Sequence, residues 1–156
     1  MRDEEFERLY AAEAQGLFAF LAYRTGDRAL AEDLLADAFE RVLRGSYDKR
    51  RGSAKTWLYS IALNALRDHM RRVAAEGRAY ARVEVPVGSD PFADVEHRDE
   101  LTRAMARLSG EEREAIALRF GAALTVPEMA SVLGESLTTV EGRVYRALRK
   151  LREALG

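Results

Sequence analysis

Along almost the whole chain, apolar side chains return every three or four residues, the spacing of one face of an α-helix. Phe6, Leu9, Tyr10, Leu17 and Leu21 mark a first helix. Leu30, Ala31, Leu34, Leu35, Ala38, Phe39 and Val42 give a second, and Trp57, Leu58, Ile61, Ala65, Leu66 and Met70 a third that Ser53 is placed to cap. Between them GSYDKRRG, from Gly45 to Gly52, reads as a basic turn. The pattern lapses from Val83 to Glu96, where Pro86, Gly88, Ser89, Asp90 and Pro91 cluster, and resumes near Arg98 with Leu101, Met105 and Leu108. Ser109 and Glu112 then form a capping box for a helix through Ala115, Ile116 and Phe120, closed by Gly121. No stretch alternates as a strand would. The expected fold is all-α: two small helical domains, 1–82 and 97–156, joined by a flexible acidic linker, 83–96. Each core should be compact and mostly aliphatic.

The last helical segments, Thr125 to Leu151, have the outline of a helix-turn-helix. Thr125 and Glu128 make a capping box, Pro127 falls in the first turn, and Val126, Met129, Ala130 and Leu133 line one face before Gly134 stops the helix. Thr138 and Glu141 read as a second capping box, opening a helix with core positions Val140, Val144, Leu148 and Leu151. From Gly142 to Arg152 that helix carries Arg143, Arg146, Arg149, Lys150 and Arg152 and no acid, whereas a merely solvated helix usually mixes signs. Such a unit sets its second helix in the DNA major groove. Thr138, Thr139 and Arg143 are then best placed for base edges, and Arg146 and Arg149 for phosphates.

A net charge of -1 over 156 residues looks wrong for a nucleic-acid binder, but the average conceals a division. Residues 1–43 carry five bases and ten acids; residues 44–82 carry ten bases and three acids. Segregated charge of this kind fits one basic partner and one polyanionic partner. The acidic group Glu32, Asp33, Asp37 and Glu40 lies beside the apolar stripe of the second helix, a docking face for a basic helix or simply a solvated one. In the basic tract, Lys49, Arg50, Arg51, Lys55, Arg67 and Arg71 are interleaved with Tyr47, Trp57 and Tyr59, a mixture suited to melted DNA, where bases stack on rings and cations follow the backbone. Trp57 also fits the core stripe. Asn64, an amide amid apolar positions, either bonds backbone or waits for a base edge.

The chain has no cysteine, which excludes disulfides and thiolate metal sites and fits a reducing cytoplasm. MRDEEFERLY has no apolar run for a signal peptide, and no window approaches a membrane span. His69 and His97 lack ligand spacing, and no phosphate loop, nucleophile elbow or catalytic carboxylate pair is visible. Neither cofactor, metal nor enzymatic activity is expected.

Four segments in order carry a family resemblance: AEDLLADAFERVLRG (Ala31–Gly45), KTWLYSIALNALRDHMRR (Lys55–Arg72), LSGEEREAIALRF (Leu108–Phe120) and TTVEGRVYRALRKLR (Thr138–Arg152). Together they resemble bacterial sigma factors of the extracytoplasmic-function group, which keep only regions two and four of the larger sigma proteins. The resemblance implies that Glu32, Asp33, Asp37 and Glu40 dock on the clamp helices of the RNA polymerase largest subunit. It implies that Lys49, Arg50, Arg51, Ser53, Lys55, Asn64, Arg67 and Arg71 engage a melted −10 element with one base flipped out. Thr138, Thr139, Arg143, Arg146 and Arg149 would read the −35 duplex, region four would touch the polymerase flap, and an anti-sigma factor would hold the protein inactive. Ala36, Ala54 and the pair Glu141–Gly142 stand where relatives commonly carry Gln, an aromatic, and a base followed by Ser. Stacking under the flipped base would then be weaker, or supplied by Tyr47 or Tyr59. From the residues alone, a dimeric helix-turn-helix regulator and an interaction adaptor with weakened DNA binding remain as other readings.

Overall fold

The computed structural model describes residues 1–76 and 95–156, and among these there is no β-strand. Four helices or turns make the first half: α1 (Asp3–Thr25), α2 (Arg28–Arg44), a 3-10 turn (Lys49–Arg51) and α3 (Ala54–Ala75). In the second half come α4 (Val95–Ala106), α5 (Gly110–Ile116), a π turn (Ala117–Gly121), α6 (Val126–Leu133) and α7 (Leu137–Leu155). The linker expected over 83–96 lies outside the described residues, apart from Val95 and Glu96, which already open α4.

Local chemistry sets most boundaries. Gly26, with φ 66, ends α1 in the left-handed conformation, and Asp27 caps α2 by accepting from the Leu30 amide at 3.2 Å. The cap at Ser53 and the capping boxes at Ser109 and Thr125 form as the sequence leads one to expect. The second helix of the helix-turn-helix does not begin where expected. Its N-cap is Ser136, whose hydroxyl accepts from the Thr139 amide at 3.2 Å, so Thr138 lies inside the first turn and no second capping box forms on it.

Packing joins the halves. Leu17, Phe20 and Leu21 of α1, Ala38 and Val42 of α2, and Leu58, Leu63 and Leu66 of α3 share one buried cluster with Leu118, Leu124, Met129 and Val140 of the second half. A smaller cluster, Ala104, Met105, Leu108, Ile116, Ala147 and Leu151, closes α4 and α5 against α7. Tyr10 and Leu101, placed on core stripes by periodicity, are exposed. So is Phe120, at 54%. The π turn carries an Ala122 N–H to Ala117 O bond of 2.9 Å, and its extra residue swings Phe120 off the face that Ile116 occupies.

Candidate nucleic-acid interface

The loop before α3 is tightly held. Asp48 Oδ1 accepts from the Arg50 amide at 3.0 Å, and the Tyr47 hydroxyl donates to the Gly52 carbonyl at 2.9 Å. Gly52 sits at φ 139, a conformation that favours glycine. The Trp57 indole stacks on Tyr47 with centroids 5.4 Å apart and planes 25° apart. It also lies so close to Gly45 that a Cβ there would meet Trp57 Cζ2 at 2.7 Å. Trp57 therefore packs and presents a ring at once. Tyr47 and Trp57, with Ser46, Asp48, Gly52, Ser53, Thr56, Ser60 and Ser131 of α6, line a cavity of about 480 Å³. Tyr59 is not available for stacking: it is fully buried, and burial, with the carboxylates of Glu13 and Glu128 adding to it, pushes its phenol far above its ordinary pKa.

Of the residues assigned to melted DNA, Lys49 and Arg50 are exposed on the 3-10 turn that Arg51 completes, and Ser53 caps α3. Asn64 is exposed on α3, so it is no polar intruder in the core. Arg71 pairs with Asp68 at 2.6 Å on the same helix. Lys55 and Arg67 are engaged elsewhere. Lys55 Nζ lies 3.9 Å from Glu13 and 3.8 Å from Glu128, and Arg67 Nη2 lies 3.2 Å from Glu114. Burial raises the Glu13 pKa, with Lys55 opposing the shift.

On α2, Glu32 and Asp33 are exposed, Asp37 pairs with Arg41 at 3.1 Å, and Glu40 pairs with Arg44. These are surface pairs, worth little to stability and easily exchanged for an external cation. The acidic face is thus open to a basic partner.

On α7, Thr138, Thr139 and Arg146 are exposed, and Arg149 is exposed beside Glu153 at 3.4 Å. Arg143 differs. Its guanidinium donates to both oxygens of Glu135, at 3.2 and 2.6 Å, and its side chain is only 13% exposed. The Glu135 hydrogen bonds hold its pKa above the ordinary value despite the burial. Tyr145, 68% exposed on the same helix, was not singled out from sequence. Its place off the Val140–Val144–Leu151 stripe was the signal. Glu114 was missed as well, since nothing in one sequence pairs a carboxylate with arginines 47 and 90 positions earlier.

Comparison with known proteins follows this geometry. Residues 9–76 match the Sigma-70 region 2 family and residues 98–151 the family described as Sigma-70, region 4. CarQ of Myxococcus xanthus, an RNA polymerase sigma factor, is 35% identical over 98% of this chain and 90% of its own length. The ECF RNA polymerase sigma factor BldN of Streptomyces coelicolor is 31% identical over 97% of this chain, which spans 61% of BldN. Among solved structures, the sigma factor RpoE of Bartonella quintana, in complex with the anti-sigma factor NepR, shares the fold with a TM-score of 0.79 at 24% identity, over 97% of each chain. CnrH, in complex with the cytosolic domain of CnrY, gives 0.66 at 28% identity, over 99% of this chain and 89% of its own. Among the described residues no helix is long and apolar enough to cross a membrane. With two family matches in sequence order, and a relative that it parallels nearly end to end, the chain belongs to the extracytoplasmic-function RNA polymerase sigma factors.

Proposed function

We propose that this chain is a promoter-specificity subunit that binds core RNA polymerase and directs initiation by holding duplex −35 DNA and melted −10 DNA. The observation that carries the reading is the cavity beside α3, walled by a stacked Tyr47–Trp57 pair with Ser46, Asp48, Ser53, Thr56 and Ser60, next to the turn that carries the exposed Lys49 and Arg50. An unstacked base needs an aromatic face, hydrogen-bonding groups for its edge and cations for its phosphates, and that site offers all three. Ser53, Lys55, Asn64, Arg67 and Arg71 extend it along α3, with Arg51 beside it on the turn. Thr138, Thr139, Arg143, Arg146 and Arg149 on α7 form the −35 surface. Glu32, Asp33, Asp37 and Glu40 dock on the polymerase clamp helices, and the second half touches the flap.

The domain division 1–82, 83–96 and 97–156 belongs to this reading, as do a cytoplasmic location and the absence of catalysis by the subunit itself. An anti-sigma partner is supported by RpoE, a relative in fold solved with NepR. The test is run-off transcription with purified core polymerase on native promoter templates. A promoter-dependent transcript is expected. Tight duplex binding without any transcript would favour a stand-alone regulator, and polymerase binding without promoter DNA would favour an adaptor. Asp33→Arg should weaken binding to core polymerase while leaving the circular dichroism spectrum unchanged; undiminished affinity would remove α2 from the docking face.

A further inference from the structure

Arg50 and Arg51 stand three and two residues before Ser53. No other serine or threonine of the chain has a basic residue at both of those positions. Ser53 is exposed, as are Lys49, Arg50 and Gly52, and its backbone is extended at φ -76 and ψ 158. The 3-10 turn that carries the arginines is three residues long. Two side-chain hydrogen bonds hold it, from the Arg50 amide to Asp48 and from the Tyr47 hydroxyl to the Gly52 carbonyl. Opening them lays the arginines and the serine out as one strand. The neighbouring hydroxyls of α3 are less accessible: Thr56 is buried, and Ser60 is half-buried and donates to the Thr56 carbonyl at 2.8 Å.

Ser53 also caps α3. Its Oγ accepts from the Thr56 amide at 3.1 Å, and the residue lines the cavity that Tyr47 and Trp57 wall. An anion at that point meets the N–H groups of the first turn of a 22-residue helix, with Lys49 and Arg50 on the turn before it. Asp48, the carboxylate in the cavity lining, is already engaged with the Arg50 amide.

We propose that Ser53 is a phosphoacceptor for a basophilic serine kinase, and that phosphoserine there expels a DNA strand from the cavity while strengthening α3. Kinases of this class hold their substrates through carboxylates that pair with guanidinium groups, and Arg50 and Arg51 supply those groups. In the transfer, the bond from Ser53 Oγ to the γ-phosphorus of a nucleoside triphosphate forms as the bond from that phosphorus to the diphosphate breaks. The hydroxyl proton passes to a carboxylate of the kinase and then to water, and no electron is gained or lost. The product carries a charge of about −2 and oxygens that accept from the first-turn amides. It takes up the nearby cations and repels strand phosphates at the mouth of the cavity. The effect on DNA rests on the reading of α3 as a nucleic-acid surface; the modification and its effect on stability do not.

The test incubates the full chain with ATP and cyclic-AMP-dependent protein kinase, whose substrate groove takes arginines two and three residues before the serine. One phosphoryl group per chain is expected, located on Ser53 by fragment mass spectrometry. Ser53→Ala should gain none there, and Arg50→Ala should be modified about tenfold more slowly. The phosphorylated chain should melt at a higher temperature than the unmodified chain, yet bind a labelled mixed-sequence single strand of DNA about tenfold more weakly in anisotropy. Movement in opposite directions separates a charged cap from damage, which would lower both. No phosphate on Ser53, a rate indifferent to Arg50→Ala, or a lowered melting temperature would each overturn the proposal. Equal strand binding by both forms would overturn the expulsion and leave the reading of α3 standing. Binding by neither form would defeat that reading, while the mass spectra and melting curves still decide the modification.

Discussion

Arg143 sits on the polar side of α7 near its start, where sequence places a base-reading cation, yet its guanidinium is committed to Glu135 and lies 3.8 Å from Glu111. A mostly buried, two-point pair of this kind leaves an uncompensated carboxylate when one partner is removed. Arg143→Ala should therefore cost about 1–3 kcal/mol in urea denaturation, and should weaken −35 duplex binding evenly across base substitutions. Loss confined to one base pair, with stability unchanged, would return Arg143 to base reading. Glu112 is a second residue whose charge is structural. At 6% exposure, its carboxylate accepts from Lys150 Nζ at 2.7 Å and from the Ser109 amide at 2.9 Å. The Lys150 bond first, then the Ser109 amide, lowers its pKa below the ordinary carboxylate value. A depressed folded-state pKa means stability that is fully present above the unfolded value and lost as pH falls through the folded one. The melting-temperature gap between wild type and Glu112→Gln should thus be wide at neutral pH and close progressively below about pH 4.3. A gap constant down to acid would show that the ionised pair contributes nothing.

At the level of elements, the start of α7 decides which side chains the helix-turn-helix presents. Gly134, with φ 66, reverses the chain after α6, and the Glu135 amide returns to the Ala130 carbonyl at 3.1 Å. Ser136, the next residue, is already extended and caps α7, its hydroxyl also donating to Thr139 Oγ1 at 2.8 Å. Ser136→Ala should destabilise the second half by about 1 kcal/mol, whereas Thr138→Ala, inside the first turn, should change stability by less than about 0.5 kcal/mol. Equal losses in thermal melts would contradict the assignment of the cap. Glu141, three positions after Thr138, made Thr138 the expected cap, and the cap falls two residues earlier instead. Capping chemistry is local, but the choice between two competent hydroxyls depends on how sharply the preceding turn closes. Ser53, Ser109 and Thr125 had no such competitor and were legible. The π turn was not, because Ala117 to Gly121 suits a 3.6-residue helix equally well, and only tertiary packing selects the wider form.

For the whole molecule, periodicity shows that each helix has an apolar face but not which faces meet, so two separate cores are the natural reading of this chain. The candidate site shows the same limit: Tyr47, Trp57 and the acids of α2 stand out in composition and spacing, while Ser46 and Ser60 of the cavity do not, and Glu114 and Ser131 reach the first half only through the packing of α5 and α6. That packing predicts that the stability of one half depends on residues of the other. Met129 of α6 is fully buried in the cluster that also holds Leu58 and Leu66 of α3. Met129→Ala should cost about 2–5 kcal/mol through lost burial and the cavity left behind. The single tryptophan, Trp57, lies in α3 beside a cavity that Ser131 of α6 also lines, so its fluorescence follows the first half and its junction with α6, while far-ultraviolet circular dichroism averages over all the helices. If the shared cluster couples the halves, the substitution in α6 lowers the urea midpoint of the Trp57 signal by the same amount as that of the dichroism. Independent halves would behave otherwise: Trp57 would keep its wild-type midpoint, and the dichroism would split into two transitions.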